Sequence, residues 1–183
     1  MRTLNGPPLS LRRQSARPPP GGFSYFRDPF VKTNAYVDGF NLYYGCLKDS
    51  PYRWLDVAKL CSLLLSSHEI YRIRYFTAPL NFRPDNPYQR QRQQTYLRAL
   101  QTIPNLTIHY GHFLTNAVRM PLAHSSPTGP QTETALVLKT EEKGTDVNLT
   151  TYMMADSLSG ESEMAVLLSN DSDFKTPIEF LRS

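Results

Sequence analysis

Long apolar runs are missing from this sequence. The longest, within residues 60–65 and 164–168, fall well short of the roughly 18 residues that a membrane-spanning helix needs. A soluble protein is expected. Cysteine is scarce too: Cys46 and Cys61 lie in helical-looking stretches, with neither metal-ligand spacing nor a redox neighbour. That pattern excludes a disulfide scaffold and points to reduced, semi-buried thiols in a reducing cytoplasm. The first residues carry no apolar core of a secretory signal, and there are no internal repeats. No Ser-His-Asp or Cys-His arrangement is visible either. His68, His109, His112 and His124 are scattered on expected strand edges or loops, where structural or solvated roles are expected.

What is present is enough for one α/β core: 183 residues, 40% of them hydrophobic. The formal charge of +4 is unevenly spread. Residues 1–32 hold Arg2, Arg12, Arg13, Arg17, Arg27 and Lys32 against Asp28, a balance of +5 that leaves −1 for the remainder. This segment includes Pro18-Pro19-Pro20-Gly21-Gly22, has no hydrophobic period and is expected to be a disordered tail. The remainder is itself polarised. Arginines 72, 74, 83, 90, 92, 98 and 119 crowd the middle, whereas most of the acids fall from Glu133 onward. A basic middle beside an acidic end suits an enzyme that grips a polyanion near a cation; a solvated arginine face is the alternative.

The folded part is expected to begin with the strand Thr33-Asn34-Ala35-Tyr36-Val37-Asp38, followed by a turn at Gly39 and a helix from Asn41. A helix over residues 56–65, a strand over 70–78, a helix from Asn86-Pro87 to about residue 102 and a strand over 106–113 come next. Strands separated by helices imply crossovers and a parallel sheet. Residues 118–122 and 135–139 read as a hairpin around the loop of residues 124–130. A helix launched at Lys143-Gly144-Thr145-Asp146 is expected to bury Val147, Thr150, Thr151, Met154 and Leu158, and to end at Gly160. A buried strand at Met164-Ala165-Val166-Leu167-Leu168 and a helix over residues 174–181 complete the chain.

Three separated segments place acid at strand ends or a helix start: Asp38, Asp146, and Asp171 with Asp173. In a parallel sheet these ends share one side, where ligands bind. Carboxylates brought together repel unless a hard cation, or a lysine such as Lys143 or Lys175, offsets them. A divalent metal is the expected solution.

The segments Tyr36-Val37-Asp38-Gly39-Phe40-Asn41-Leu42, Lys143-Gly144-Thr145-Asp146-Val147-Asn148-Leu149 and Leu168-Ser169-Asn170-Asp171-Ser172-Asp173-Phe174 together closely resemble the NYN domains of the PIN-like nuclease superfamily, which include LabA-like bacterial members. The resemblance covers residues 33–183. It implies a Rossmann-like three-layer α/β/α sandwich with a central, mostly parallel sheet. It also implies a Mg²⁺- or Mn²⁺-dependent ribonuclease whose metal-binding, catalytic acids are Asp38, Asp146, Asp171 and Asp173. Asn41, Lys143 and Ser172 would position substrate, and the partner would be RNA.

In two places the chain departs from the family pattern. Many members carry an acid six residues after the one matching Asp146, and Tyr152 stands there. Asp156 is expected to be a helix-face acid that does not replace it. The segment after Leu181-Arg182-Ser183 that would add a strand and helix is not in this sequence, so an uncovered sheet edge is expected. For RNA grip the candidates are Arg72, Arg74, Arg83, Arg90, Arg92 and Arg98, interleaved with Tyr71, Tyr75, Phe76, Tyr88 and Tyr96. Arg83, Arg90 and Arg98 are preferred. Guanidinium forks suit phosphates and aromatic faces suit unpaired bases, which favours single-stranded RNA. Two other readings remain: a PIN-like domain that binds RNA or a protein without cutting, and a phosphotransfer site built from Asp38, Ser172 and Lys175. The sequence leaves open a homodimer or a protein partner.

Overall fold

The structure is a computed structural model that describes residues 30–122 and 134–182. Most of the basic tail and the loop of residues 124–130, with His124, lie outside the described residues.

Six strands and five α-helices are described: β1 (Val31–Asp38), α1 (Gly39–Leu42), α2 (Val57–Leu64), β2 (His68–Thr77), α3 (Gln89–Leu100), β3 (Leu106–Tyr110), β4 (His112–Pro121), β5 (Thr134–Lys143), α4 (Thr145–Ser159), β6 (Met164–Leu168) and α5 (Lys175–Arg182). Four strands form a parallel sheet in the order β3-β2-β1-β6. The chain builds outward from β1 to β3, then returns to the other side of β1 as β6. That reversal makes the β1/β6 boundary a topological switch point, where the strands' carboxyl ends part to leave a crevice.

Alternation along the strands builds two cores. Ala35, Val37, Ile73 and Tyr75 face one way, against Val57 and Cys61 of α2 and Leu97 and Leu100 of α3. Tyr36 and Phe76 face the other way, against Leu149 and Met153 of α4 and Phe174. The result is a helix–sheet–helix sandwich. Each large side chain taken from water into these layers contributes about 1.5–3 kcal/mol. No helix among the described residues is long and apolar enough to cross a membrane.

Several boundaries differ from the sequence expectation. α3 begins at Gln89 rather than at Pro87, because residues 84–88 are taken up by turns that include hydrogen bonds from Asn86 N to Arg83 O and from Gln89 N to Asn86 O. The strand expected over residues 106–113 breaks at Gly111, whose N–H donates to Thr77 O; a side chain there would run into Glu142 and Thr145. β4 then pairs with β5 as a separate antiparallel ribbon, longer than the expected hairpin.

The largest difference concerns α4. Val147 and Leu158, expected inside, are 69% and 77% exposed, whereas Leu149, Met153 and Asp156 are buried. The helix is turned by a salt bridge. Arg74, on the sheet face beneath α4, donates from Nε to Asp156 Oδ2 at 2.6 Å and from Nη2 to Oδ1 at 2.8 Å. Tyr36 donates its hydroxyl to Oδ2 at 2.9 Å, and Arg72 Nη1 lies 3.4 Å from Oδ1. Asp156 is therefore not a free helix-face acid, and Arg72 and Arg74 face it rather than a ligand. Burial pushes the Asp156 carboxyl up, but these donors and the two guanidinium charges together hold it below its ordinary range.

The ring of Tyr152 covers this ion pair, 4.5 Å from the Arg74 guanidinium carbon and 4.1 Å from the His109 ring. Nη1 of Arg74 lies 3.0 Å from His109 Nε2. Burial, then the neighbouring Arg74 charge, pushes the His109 pKa down, so the ring is neutral and accepts that hydrogen bond.

Removing one partner of a buried pair strands the other charge. Asp156→Ala is expected to lower unfolding stability by about 3–5 kcal/mol in urea titration. The double change Asp156→Leu with Arg74→Met should recover most of that loss, since a packed apolar pair avoids the desolvation cost. An Asp156→Ala protein as stable as the parent would show that this pair does not anchor α4.

Candidate active site at the sheet crest

Asp38 ends β1 and is 6% exposed. Its Oδ1 accepts from Asn41 N at 3.0 Å, capping α1. Its Oδ2 accepts from the Ser169 hydroxyl at 3.1 Å. Parallel register sets up that contact: Val37 pairs with Leu168, so the residues that follow each emerge side by side at the switch point. Ser169 also accepts from Asp171 N at 3.2 Å, and Asp171 Oδ1 accepts from Asp173 N at 2.9 Å. Asn41 ties the same two loops together through both amide atoms: Nδ2 donates to Asn170 Oδ1 at 2.8 Å, and Oδ1 accepts from Asn170 N at 3.0 Å.

The third segment arrives through α4. Gly144 adopts a left-handed φ of 90° as the helix N-cap, a conformation glycine takes without penalty. Glu142 reaches forward and accepts from both Thr145 N and the Thr145 hydroxyl. Asp146 thus lies in the first turn, at the positive end of the helix. Its pKa is nevertheless raised, first by burial and then by the charges of Asp38, Glu142, Asp171 and Asp173. Asp38 is raised as well, mainly by burial and, against its hydrogen bonds, by Asp171. The acids expected to converge are therefore close enough to feel one another.

They do not form a closed ligand set: among the described residues no three acid, histidine or cysteine side chains stand close enough together to hold an ion. The donor chemistry nonetheless fits a hard cation, because every candidate is a carboxylate. Magnesium typically keeps several waters and takes only one or two carboxylates together with substrate phosphates, so a crest of spaced acids suits it.

Other expected participants stand apart. Lys143 Nζ pairs with Glu141 at 3.4 Å, and Lys175 Nζ lies 3.9 Å from Glu179. Ser172 is exposed in a short 3₁₀ turn. Arg83 is exposed and paired with Asp85, while Arg90 and Arg98 are exposed on α3. The sequence reading missed Glu142, Ser169 and Asn170 as members of the site. An acid three residues ahead of a helix-starting threonine was the available signal for Glu142. Ser169 and Asn170 had none beyond lying between a strand and Asp171.

A parallel sheet with helices on both faces and acids at its switch point defines an α/β domain of the PIN-like class. The match to the NYN domain covers residues 32–183, and the chain belongs to that family, which is generally one of nucleases. The chain is 29% identical over 178 residues to 6-hydroxy-3-succinoylpyridine 3-monooxygenase HspA of Pseudomonas putida (strain DSM 28022 / S16), across 84% of this chain and 56% of that protein. It therefore spans just over half the length of that relative. A crystal structure of a protein of unknown function from Vibrio parahaemolyticus RIMD 2210633 superposes with a TM-score of 0.49 at 16% identity, covering 85% of this chain and 76% of that one.

An acid whose pKa is raised by folding contributes stability below its unfolded pKa and loses it as pH rises through the folded value. Asp38 and Asp146 are both of this kind. In EDTA, Asp146→Asn is therefore expected to melt above the parent at about pH 8 and close to it at about pH 4. A melting point lower than the parent's at the higher pH would contradict the repulsion inferred here.

Proposed function

We propose that this domain is a divalent-cation-dependent ribonuclease that hydrolyses single-stranded RNA, with Asp38, Asp146, Asp171 and Asp173 as its cation-binding acids. The observation that carries the reading is that carboxylates from three chain segments stand near one switch point: besides burial, the charges of Asp38, Asp171 and Asp173 push the Asp146 carboxyl up, and that of Asp171 pushes Asp38 up. The family supports the same class of chemistry. When bound, Mg²⁺ or Mn²⁺ would lower the pKa of an attacking water and neutralise charge on the phosphate. The chain's own residues orient that chemistry. Asn41 N and Ser169 fix both oxygens of Asp38. Water attacks phosphorus, the bond to the 3′ oxygen breaks, and the proton passes to that oxygen. The products are a 3′-hydroxyl and a 5′-phosphate. Asn41, which holds Asn170 against Asp38, is the positioning residue nearest the acids. Lys143 and Ser172 would help position substrate only by leaving the surroundings they have here, and Arg83, Arg90 and Arg98 would offer guanidinium groups to more distant phosphates.

We assign the action to the cytoplasm, in keeping with the free Cys46 and Cys61. The named relative's oxygenase activity belongs to a protein of which this chain matches 56%, and we do not carry it over.

A second reading, a domain that binds RNA or a protein without cutting, has one observation in its favour: the lack of three converging ligands among the described residues. Cleavage of single-stranded RNA with Mg²⁺ or Mn²⁺, and with EDTA, separates the two. Metal-dependent cutting that falls by about 100-fold in Asp171→Asn, a loss of roughly 3 kcal/mol of transition-state stabilisation, is expected. RNA retained on a filter with no product at any metal concentration would select the binding reading instead.

A further inference from the structure

Immediately behind the crest, on the side of the sheet away from α4, lies a cavity of about 190 Å³. A cavity of about 150 Å³ is large enough to bind benzene, so this one has room for a planar ring. Its floor is buried: Leu47 and Leu97 are each 7% exposed, and Tyr75 is 5% exposed. Its mouth is framed by aromatic rings left in water, Tyr44 at 52% and Trp54 at 56% exposure. Trp54 is held edge-on to Tyr96, and Tyr96 in turn to Tyr75, with centroids 6.2 and 6.3 Å apart. The rings are thus braced rather than collapsed into the space.

Polar groups in the wall divide into used and unused. Gln93 is committed to the backbone, accepting from Leu80 N and donating to Ala78 O, and the Tyr96 hydroxyl donates to Leu55 O. The hydroxyl of Tyr75, a residue 5% exposed, makes none of the hydrogen bonds found among the described residues. Its oxygen is not one of the buried polar atoms left without a partner, so it stays open to the cavity, where water or an occupant can bond it. Arg53 and Arg92 stand in the lining.

The cavity's address matters as much as its shape. It opens beside Gly39, the residue after Asp38, where a side chain would lie 2.6 Å from the Tyr75 ring. The Asp38 charge helps to push the Tyr75 hydroxyl pKa up, behind burial and Tyr96. An occupant's phosphate would therefore lie next to the acid crest.

We infer that this cavity is a base-binding subsite, taking one unpaired nucleobase of the RNA flanking the cleaved phosphate, with Tyr44 and Trp54 as stacking surfaces and the Tyr75 hydroxyl bonding the base edge. The assignment rests on the ribonuclease reading for its substrate, but it is tested by binding alone. It also supplies a reason for single-strand preference, since a paired base cannot enter.

Trp54 is the protein's one tryptophan and reports on the cavity directly. Titration with AMP and UMP should quench its fluorescence saturably, while ribose 5-phosphate, which has no base, should not. Tyr44→Ala should weaken the nucleotides by about 5- to 150-fold. Tyr75→Phe, which keeps the core volume, should weaken them by about 2- to 10-fold. Equal quenching by ribose 5-phosphate would mean a phosphate site only, and saturation by a hydroxypyridine but not by nucleotides would mean a small-molecule site. Either result, or unchanged affinity in both variants, overturns the inference. If nucleotides bind as expected but no RNA is cut, the ribonuclease reading fails and the base site stands. If RNA is cut but nucleotides leave Trp54 unquenched, the base site fails alone.

Discussion

The parallel pairing of β1 with β6 is the constraint on which the site depends. Five Cα pairs, ending at Val37 with Leu168, bring two segments more than a hundred residues apart to the same height. Asp38 and Ser169 then emerge as neighbours, and a hydrogen bond of 3.1 Å joins them. Ser169 passes the order on to Asp171, and Asn41 clamps Asn170 from the other side. Each of these bonds adds only about 0.5–1.5 kcal/mol by itself. Their value lies in geometry, because they hold carboxylates close that would separate if the loops were free.

Acid gathered in this way needs a counterweight elsewhere, and the chain places one beneath α4. The salt bridge between Arg74 and Asp156, completed by Tyr36 and roofed by Tyr152, fixes the rotation of a helix whose first turn carries Asp146. Tyr152 thus has a structural task. A buried ion pair is often no better than apolar packing for stability. Here it sets orientation: a helix turned by one residue, about 100°, would carry Asp146 away from the crest.

Much of the fold could be read in advance, for clear physical reasons. Apolar runs with period two and helical stripes of ordinary composition identified the strands and most helices. Asp38 stood out as an acid ending a buried run, Asp171 as one following an apolar run and Asp146 as one opening a helix; the run before Asp171, expected to be buried, is the edge strand β6, whose residues are exposed or half-buried. The failures share one cause. The buried stripe of α4 contains Asp156, so a search for apolar residues selected Val147 and Leu158 instead, both of which face solvent. Arg72 and Arg74 looked like ligands for phosphate because their partner lies more than eighty residues further along. Strand β3 looked continuous through Gly111 because what interrupts it is Glu142 and Thr145 from another part of the chain.

The sequence by itself determined the alternation of elements, the parallel sheet and the family, since these follow from local periodicity and from motifs a few residues long. Tertiary structure alone decided which charges neutralise one another, which way α4 faces, and that an aromatic cavity opens beside Asp38. Those outcomes depend on contacts between distant segments, and burial changes the energy of a charge by more than any local preference does.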